Sequence, residues 1–352
     1  MRIGMLTGGG DCPGLNAVIR AVTKSLLRQC GAEVIGIRDG FAGLMGERAR
    51  TTALDWDSVS GILGLGGTIL GTSNKANPFA NAASAAQALE NARALGLDVL
   101  VVIGGDGTMA IAHGMSECGL PVVGVPKTID NDIAGCERSF GFDTAVATVT
   151  EAIERLQTTG QSHSRVMIVE TMGRYAGWIA LEAGLAGAAD VILLPEIDYS
   201  IDAVAAVCRE REQRGRHSLI CIGEGAKMRG GALTVERQIA DSPDPLRLGG
   251  VAHVLREQLQ PLLASEVRAT VLGHVQRGGA PTPFDRVLAT QFGNQAAQLV
   301  MASEFNRMVT LRDGRLSSVA LAEVAHQIRQ VPPDHTLLRA ARQIGVSLGE
   351  GG

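Results

Sequence analysis

The sequence predicts an α/β protein with two Rossmann-like lobes, each built as three α/β/α layers around a mainly parallel sheet, and a functional site in the cleft between them. Apolar runs of strand length alternate with helical patterns along the chain, which is typical of parallel sheets. The 352 residues exceed what one hydrophobic core usually organises. Polar and charged residues also follow the apolar runs, at the strand ends where open α/β sheets bind ligands.

The predicted elements follow from hydrophobic periodicity. Short apolar runs predict strands at 3–6, 34–37, 99–103, 121–125, 166–169, 191–194, 219–222 and 270–272. Longer amphipathic or apolar stretches predict helices at 15–27, 82–95, 144–156, 201–211, 251–259 and 286–300. The helices are expected to cover both faces of each sheet. A boundary between lobes is expected near 140–144, and the polar, proline-containing stretch 241–247 predicts a surface loop.

Composition excludes several classes of protein. The net charge of -4 and the pI near 6.0 argue against a nucleic-acid-binding protein, which needs a basic surface. The six cysteines contain no Cys-x-x-Cys pair, so neither a zinc site nor a compact disulfide framework is indicated. No segment holds 18 uninterrupted apolar residues. We expect a cytoplasmic protein that binds neither nucleic acid nor membranes.

The first predicted strand ends in a glycine-rich turn. Gly8, Gly9 and Gly10 are followed by Asp11 and then by the start of a helix at Leu15. Backbone N–H groups at a helix start can hold a phosphate, although similar turns also occur for structural reasons alone. The turn matches neither a Walker A sequence nor a spaced Gly-x-Gly-x-x-Gly, which argues against ordinary P-loop and dinucleotide-binding proteins.

A second glycine-rich turn follows the third predicted strand. Gly104, Gly105 and Gly107 permit close approach of the backbone to a phosphate chain. Asp106 between them can hold Mg²⁺ directly or through water. The alternative is a strand-terminating Asp-Gly turn without a ligand. NAD kinases and lipid kinases use a similar Gly-Gly-Asp-Gly-Thr sequence, so this turn alone does not define a substrate.

The fourth predicted strand is followed by two carboxylates. A carboxylate at Asp130 or Asp132 can accept the proton of an attacking hydroxyl. Lys127 and Thr128 offer a positive charge and a hydroxyl donor to phosphoryl oxygens. If the segment is extended, Asp130 and Asp132 point in opposite directions, one as base and the other orienting a metal. Turn formation or capping is the alternative for Asn131 and Asp132. Together the three turns predict phosphoryl transfer.

Candidate anion and sugar ligands flank the strands of the second half. Arginines there offer paired donors for a terminal phosphate, and a histidine adds another. The alternatives are surface ion pairs for each arginine and a buried hydrogen bond for the histidine. Glu224 can accept hydrogen bonds from sugar hydroxyls or pair with Lys227 or Arg229. The full set is Arg165, Met172, Gly173, Arg174, Glu224, Arg268, His274 and Arg277.

Five spaced motifs in this order resemble the 6-phosphofructokinase family over essentially the whole chain. They are Gly-Gly-Gly-Asp at 8–11, Gly-Gly-Asp-Gly at 104–107, Thr-Ile-Asp-Asn-Asp at 128–132, Met-Gly-Arg at 172–174 and His-Val-Gln-Arg-Gly-Gly at 274–279. Agreement across five motifs is far more specific than any one turn. It also separates the chain from NAD kinases and lipid kinases.

The resemblance implies transfer of a phosphoryl group to the 1-hydroxyl of fructose 6-phosphate, a step of glycolysis. It implies that Asp130 is the general base and that Asp106 binds the cofactor Mg²⁺. Thr128 and Arg174 would stabilise the transferred group. The donor site would comprise Gly10, Lys75, Asp106, Gly107, Thr108 and Lys127. The sugar phosphate would contact Thr128, Asp130, Met172, Gly173, Arg174, Glu224, His274 and Arg277, together with Arg165 and Arg268.

The resemblance also implies an assembly and a division of the chain. In the family, the positions of Arg165 and Arg268 reach across a subunit interface, so a homo-oligomer, dimer or tetramer, is expected. Residues 1–141 with about 276–320 would form the lobe that binds the phosphate donor and magnesium. Residues 142–275 with about 321–352 would form the lobe that binds fructose 6-phosphate.

The phosphate donor stays open between ATP and pyrophosphate. Family members that use ATP usually have glycine where Gly107 stands, whereas pyrophosphate users usually have aspartate, so Gly107 favours ATP. Lys127 is typical of pyrophosphate users, although some ATP-dependent branches combine this glycine with this lysine. The family often has an arginine near Asn74 that bridges both substrates, and Lys75 would replace it here. A non-catalytic sugar-phosphate or nucleotide sensor is the more distant alternative.

Overall fold

Two separate β-sheets organise the chain in the computed structural model, which describes residues 1–238 and 246–351. The predicted loop at 241–247 lies largely outside the described residues, and its last two positions begin a strand. The strands are β1 (Arg2–Thr7), β2 (Glu33–Ile37), β3 (Thr51–Leu54), β4 (Val99–Gly104), β5 (Val122–Pro126), β6 (Val166–Thr171), β7 (Val191–Leu193), β8 (Ser218–Gly223), β9 (Val235–Gln238), β10 (Leu246–Leu248), β11 (Val267–Val271), β12 (Arg307–Arg312) and β13 (Arg315–Ala320).

The first sheet has seven strands in the order β13-β12-β5-β4-β1-β2-β3. Its central strands are parallel, and only the edge pairs β2/β3 and β12/β13 are antiparallel. The second sheet has four strands, all parallel, in the order β11-β6-β8-β7. A small antiparallel pair, β9/β10, stands apart. The predicted α/β class with mainly parallel sheets is confirmed.

Helices pack against both sheets. They are α1 (Leu15–Cys30), α2 (Ala42–Met45), α3 (Ala82–Ala94), α4 (Asp106–Glu117), α5 (Phe142–His163), α6 (Trp178–Ala186), α7 (Ile201–Gln213), α8 (Val251–Leu259), α9 (Pro283–Met301), α10 (Leu321–Val324) and α11 (Thr336–Gln343). Among the described residues, no helix is both long enough and apolar enough to cross a membrane.

Burial explains why the central strands were recognisable. Every residue of β4 is buried, and so is every residue of β5, β6 and β8. A strand buried on both faces has apolar residues at successive positions, which gives a continuous hydrophobic run. The outer strands β3, β12 and β13 face solvent in part and carry threonine, serine or arginine, so they lack a continuous hydrophobic run and were not predicted.

The strand predicted at 270–272 begins earlier than expected. Strand β11 starts at Val267, and Arg268 pairs in register with Met167 of β6. Arg268 therefore lies inside the strand, and the expectation that it precedes the strand is wrong. Strand β11 is only partly buried, and its polar residues Arg268 and Thr270 break the apolar run that defined the other strands.

The last segment of the chain contacts both sheets. Leu321 of α10 packs in the core beneath the first sheet with Val122 and Met109. Further on, α11 packs against α6, and Ser347 forms a parallel bridge with Val191 of the second sheet. The segment between α10 and α11 thus passes from one sheet to the other.

Candidate active site

The order of strands in the first sheet brings the three predicted turns together. Strands β5, β4 and β1 are direct neighbours and run parallel. Their carboxyl ends lie at one edge of the sheet, so the segments that follow them, 8–11, 105–108 and 127–132, are adjacent. Ligands bind at this edge in open α/β sheets.

Thr108 joins the first two turns. Its side chain is buried so close to Gly104 and Gly8 that a Cβ on either glycine would lie 2.5 Å and 2.9 Å, respectively, from its Oγ1. Only glycine leaves room for this contact. The 72–75 segment adds a third wall, because Thr72 Oγ1 donates to the Gly9 carbonyl at 2.6 Å. Lys75 follows on that segment with an exposed side chain.

Lys127 is buried behind the first turn. Only 3% of the residue is exposed, and its Nζ donates to the carbonyl oxygen of Gly10. Burial lowers the pKa of the ammonium group, and the Arg277 guanidinium lowers it further. Lys127, which was predicted to bind phosphoryl oxygens, therefore also holds the glycine turn in place.

Asp106 and Gly107 form the exposed start of α4. A carboxylate in the first helical turn is stabilised by the unpaired N–H groups there. A Cβ added to Gly107 would meet nothing within 4 Å, so the space beside it is open. This opening lies at the sheet edge where a phosphate donor is expected.

Asp130 has a carboxylate oxygen that no hydrogen bond satisfies. Among the described residues, its buried Oδ1 has no partner, while its backbone N–H donates to Thr128 Oγ1 at 3.0 Å. Burial raises the pKa of the Asp130 carboxyl, and the charge of Asp106 raises it further. Arg277 is the strongest of the cations that oppose this shift. Buried acids without partners are uncommon outside functional sites.

Asp130 and Asp132 do not follow the extended geometry that would separate them. Asn131 between them has a φ of 54°, in the left-handed region, so the condition of an extended segment is not met and the alternative of a turn applies at Asn131. Burial raises the pKa of the Asp132 carboxyl to about 7, and the charges of Asp130 and Asp106 contribute. The three carboxylates therefore belong to one electrostatic group.

A second set of predicted residues lies at the edge of the other sheet. Strands β11, β6 and β8 are neighbours, and the segments 272–277, 172–174 and 224–226 follow their carboxyl ends. The backbone N–H of Met172 donates to Gln276 Oε1 at 3.2 Å, which ties two of these segments together. Gly173 has a φ of 121°, which a residue with a side chain rarely adopts.

Glu224 is the acid of this second set. Burial raises the pKa of its carboxyl to about 7, and the charge of Asp130 adds to the shift while Arg174 opposes it. The alternative ion pairs are not found among the described residues. Lys227 instead pairs with Asp198 at 3.5 Å, and Arg229 donates to a main-chain carbonyl.

Arg277 joins the two sets. Its Nη1 donates to the carbonyl oxygen of Asp11 at 3.3 Å, and a Cβ on Gly10 would lie 2.8 Å from the same nitrogen. His274, one turn earlier, is exposed, so the alternative of a buried structural histidine is wrong. The glycine turn of the first sheet and the 274–277 segment of the second therefore meet.

Arg165 and Arg268 lie elsewhere. Both pair with Glu266, Arg165 at an Nε to Oε2 distance of 2.6 Å. They stand at the amino end of β6 and β11, whereas the site lies at the carboxyl end. The six residues of β6 separate the two ends by about 16 Å. Within one chain these arginines do not belong to the site.

The acids present suit magnesium. Mg²⁺ takes oxygen ligands, usually one or two carboxylates together with waters and substrate phosphates. Asp106 is exposed, and Asp130 and Asp132 lie within its electrostatic reach. No cluster of three or more His, Cys, Asp or Glu side chains with metal-binding geometry occurs in the described part of the chain.

Sequence reasoning missed several supporting residues. Thr72 and Gln276 hold the turns through side-chain hydrogen bonds, and Asn16 holds the 65–69 segment by donating to Leu65 and accepting from Ile69. Gln276 is fully buried next to the predicted Arg277, and this neighbourhood was the available signal. Asn16 and Thr72 offered none, because their partners are distant in sequence.

The fold and the site together define a class of protein, the α/β proteins in which acidic side chains gather at the carboxyl ends of neighbouring parallel strands. A family model described as "Phosphofructokinase" matches residues 2–300. The chain belongs to the phosphofructokinase family, and the resemblance seen in the sequence is confirmed.

Individual relatives cover nearly the whole chain. The "ATP-dependent 6-phosphofructokinase 2" of Clostridium perfringens is 47% identical, over 99% of this chain and 98% of its own length. The "Pyrophosphate--fructose 6-phosphate 1-phosphotransferase" of Streptomyces coelicolor is 46% identical, over 95% and 97%. A crystal structure of Pichia pastoris phosphofructokinase in the T-state is 31% identical, with a TM-score of 0.80 over 92% of this chain. This chain matches 35% of the length of the Pichia chain.

Proposed function

We propose that this protein transfers a phosphoryl group from ATP to the 1-hydroxyl of fructose 6-phosphate and forms fructose 1,6-bisphosphate. The observation that carries the proposal is the buried Asp130 Oδ1, which lacks a partner at the junction of the two sheet edges. A proton acceptor is needed at that place, because an alcohol attacks a phosphoryl group poorly until its proton is removed. The relatives with this name support the choice of substrate.

Asp130 acts as the general base. Its free Oδ1 accepts the proton of the 1-hydroxyl as the hydroxyl oxygen attacks. The hydrogen bond from the main-chain N–H of Asp130 to Thr128 Oγ1 fixes the start of the 128–132 segment. A pKa raised by burial strengthens the carboxylate as a base, and the nearby cations keep it available in its ionised form.

The transferred group carries negative charge that the site must stabilise. Arg174 and Thr128 provide a cation and a hydroxyl at the sheet edges on either side of Asp130, and Gly10 lets the backbone approach the group. Magnesium held by Asp106 would supply charge neutralisation for the donor phosphates. Lys75, Thr108 and Lys127 complete the donor side, the last two by shaping the glycine turns.

Fructose 6-phosphate binds at the edge of the second sheet. Glu224 accepts hydrogen bonds from sugar hydroxyls, and Met172 with Gly173 contacts the ring. His274 and Arg277 hold the 6-phosphate from the segment after β11. Arg165 and Arg268 of a neighbouring copy complete that phosphate site, because their own chain places them at the opposite end of the sheet. A homo-oligomer, dimer or tetramer, follows from this arrangement.

The open space beside Gly107 favours ATP. A nucleotide needs room for its α-phosphate, and a Cβ at this position would meet nothing. Overall similarity does not separate the donors, since the relatives named for ATP and for pyrophosphate are 47% and 46% identical to this chain. Pyrophosphate is the second candidate, favoured by Lys127, whose ammonium group lies against the glycine turn.

One experiment tests donor and reaction together. Initial rates are measured with Mg²⁺, fructose 6-phosphate and either ATP or pyrophosphate, with the bisphosphate product quantified directly. We expect product with ATP. Turnover with pyrophosphate alone would overturn the donor but keep the sugar site. No product with either donor would overturn the function.

The division of the chain into lobes and its location in the cell belong to the same proposal. The donor lobe would comprise residues 1–141 with about 276–320, and the sugar lobe residues 142–275 with about 321–352. A reducing cytoplasm suits the cysteines, because all six are free and four of them are buried.

A further inference from the structure

A short segment near the carboxyl end crosses from the catalytic turn to the second sheet. We call residues 328–331 the strap. It lies outside the part of the chain that the family model matches, which ends at residue 300. Ile328 forms an antiparallel bridge with Ile133, directly after the turn that carries Asp130. Val331 donates its N–H to Glu196 Oε1 at 2.9 Å, on the side of the second sheet.

Arg329 of the strap holds the turn by two hydrogen bonds. Its guanidinium Nη1 donates to the carbonyl oxygen of Asn131 at 2.8 Å, and its backbone N–H donates to the carbonyl oxygen of Asp132 at 2.7 Å. Asn131 is buried with a φ of 54° and also accepts from the Ser139 N–H at 3.0 Å through Oδ1. Asparagine enters the left-handed region more readily than most residues with a side chain, and these hydrogen bonds hold Asn131 there.

The same arginine contacts the second half of the chain. Its guanidinium carbon lies 4.0 Å from the centre of the Trp178 ring, a cation–π contact. The Trp178 Nε1–H donates in turn to the Arg329 carbonyl at 3.0 Å. The next residue, Gln330, donates to the carbonyl oxygen of Tyr175, which neighbours Arg174.

We propose that Arg329 is a positioning residue for the transfer reaction. It fixes the left-handed turn at Asn131, and thereby the directions of Asp130 and Asp132, relative to the Trp178 and Arg174 side of the site. The inference rests on the proposed function, since positioning has meaning only where Asp130 is the base. Without Arg329, the Asn131 carbonyl loses its charged donor and the turn can relax toward an extended form that separates the two acids.

The chain offers a specific optical probe of the strap. It has two tryptophans, Trp178 beneath Arg329 and the exposed Trp56. In a Trp56→Phe parent, emission comes from Trp178 alone. Arg329→Met removes the cation and keeps an apolar side chain over the ring, while Arg329→Lys keeps the charge with one donor group. Arg155→Met removes an exposed arginine of α5 that pairs with Glu151, as a matched control.

Steady-state rates and Trp178 emission are measured for each variant. We expect Arg329→Met to lower kcat roughly 10- to 100-fold, with KM for fructose 6-phosphate changed less than about threefold, because misplaced catalytic groups affect the transition state most. Trp178 emission should shift in the same variant. Arg329→Lys should recover part of kcat, and Arg155→Met should match the parent in every reading.

The outcomes separate the two proposals. A parent that is inactive with both donors overturns the function and the positioning role together. An active parent whose Arg329→Met variant keeps its kcat overturns the positioning role alone, even if Trp178 emission shifts. If Arg329→Met does not fold, Arg329→Lys decides: a kcat equal to that of the parent, with altered Trp178 emission, contradicts the proposal.

Discussion

Burial sets the protonation of the acids in this site. Asp132 and Glu224 lie on segments from different sheets, yet burial raises the pKa of each carboxyl to about 7. Asp130 adds to both shifts, since a neighbouring negative charge disfavours ionisation. Acids arranged this way are costly for folding, and they are found where a ligand or a reaction uses them.

Asp130→Asn tests the base directly. We expect kcat to fall by roughly two or more orders of magnitude with fructose 6-phosphate binding largely kept, since a general base contributes mainly to the transition state. Steady-state kinetics and calorimetric binding of the sugar phosphate measure the two effects. Asp202→Asn, on the exposed start of α7, is the control. Unchanged turnover would remove Asp130 from its role.

The raised pKa of Asp132 predicts the direction in which the free energy of unfolding changes with pH. Its carboxyl has a pKa of about 7 in the folded chain against an ordinary value of 3.8, so the folded state binds the proton more tightly. Its contribution to stability therefore falls as pH rises through this window. Relative to the wild type, the free energy of unfolding of Asp132→Asn should increase by roughly 1–3 kcal/mol from about pH 5 to about pH 8.

Urea unfolding at the two pH values measures this difference in the absence of ligands. Asp202→Asn serves again as the exposed control, and its stability relative to the wild type should not change with pH. A difference between Asp132→Asn and the wild type that stays constant across the window would mean that Asp132 is ionised throughout.

Gly107 offers a test of donor choice. Gly107→Asp should fold, since the added Cβ meets nothing within 4 Å and an acid suits the first turn of α4. Its charge opposes the α-phosphate of a nucleotide, so we expect kcat/KM with ATP to fall roughly tenfold or more beyond any loss with pyrophosphate. Gly107→Ala separates bulk from charge. Equal losses with both donors would contradict this mechanism.

At the scale of elements, each sheet presents three neighbouring strands whose carboxyl ends carry the site. Helix starts complete these edges, as α4 does with Asp106. The second sheet also holds an acid that caps a helix. Glu170 at the end of β6 is buried and accepts from the N–H groups of Gly250 and Ala252 at 2.9 Å and 2.8 Å, which caps α8.

Glu170→Gln should destabilise the fold through this cap. Glutamine offers one acceptor oxygen in place of two and loses the charge that favours a helix start, so we expect the free energy of unfolding to fall by roughly 1–2 kcal/mol. Urea unfolding at neutral pH measures the change. Glu257→Gln, exposed on the same helix, should have no comparable effect. Equal stability of the two variants would show that the cap is dispensable.

Elements were predictable where burial makes the sequence distinctive. The helix predicted at 251–259 coincides with α8, and the central strands lie within a few residues of their predicted places. Helix α6 was missed because it is apolar on every side and buried, which removes the amphipathic period. Helix α4 was missed because it begins within a turn that its glycines had marked as a loop.

At the scale of the whole molecule, one chain does not gather all the predicted phosphate ligands. Arg165 and Arg268 form a surface group around Glu266, at the end of the second sheet away from the catalytic edge. A neighbouring copy related by symmetry can present this group to the sugar phosphate of the first. The site would then be completed only in the assembly.

Mixed oligomers test this sharing. Asp130→Asn and Arg268→Ala chains, each poorly active, are unfolded together and reassembled. If every site combines Asp130 of one chain with Arg268 of another, random pairing restores about a quarter of wild-type activity, because half of the pairs are mixed and each has one intact site. Activity equal to the mean of the two parent variants would place both residues in the same chain's site.

The sequence by itself determined the class of the fold and the family, and it predicted the segments in which the site is expected. It could do so because strands buried on both faces are apolar throughout, and because reactive residues directly follow them in the chain. Family membership also rests on short motifs, which can be recognised from the order of residues along the chain without knowledge of the fold. The roles of the individual residues remain predictions.

Only the tertiary structure decided which of these segments meet. The order β5-β4-β1 places three turns side by side, and the order β11-β6-β8 does the same on the second sheet. The turn at Asn131 brings two acids together, and Arg329, 198 positions away, holds it. Such contacts depend on packing between residues remote in sequence, and no local pattern encodes them.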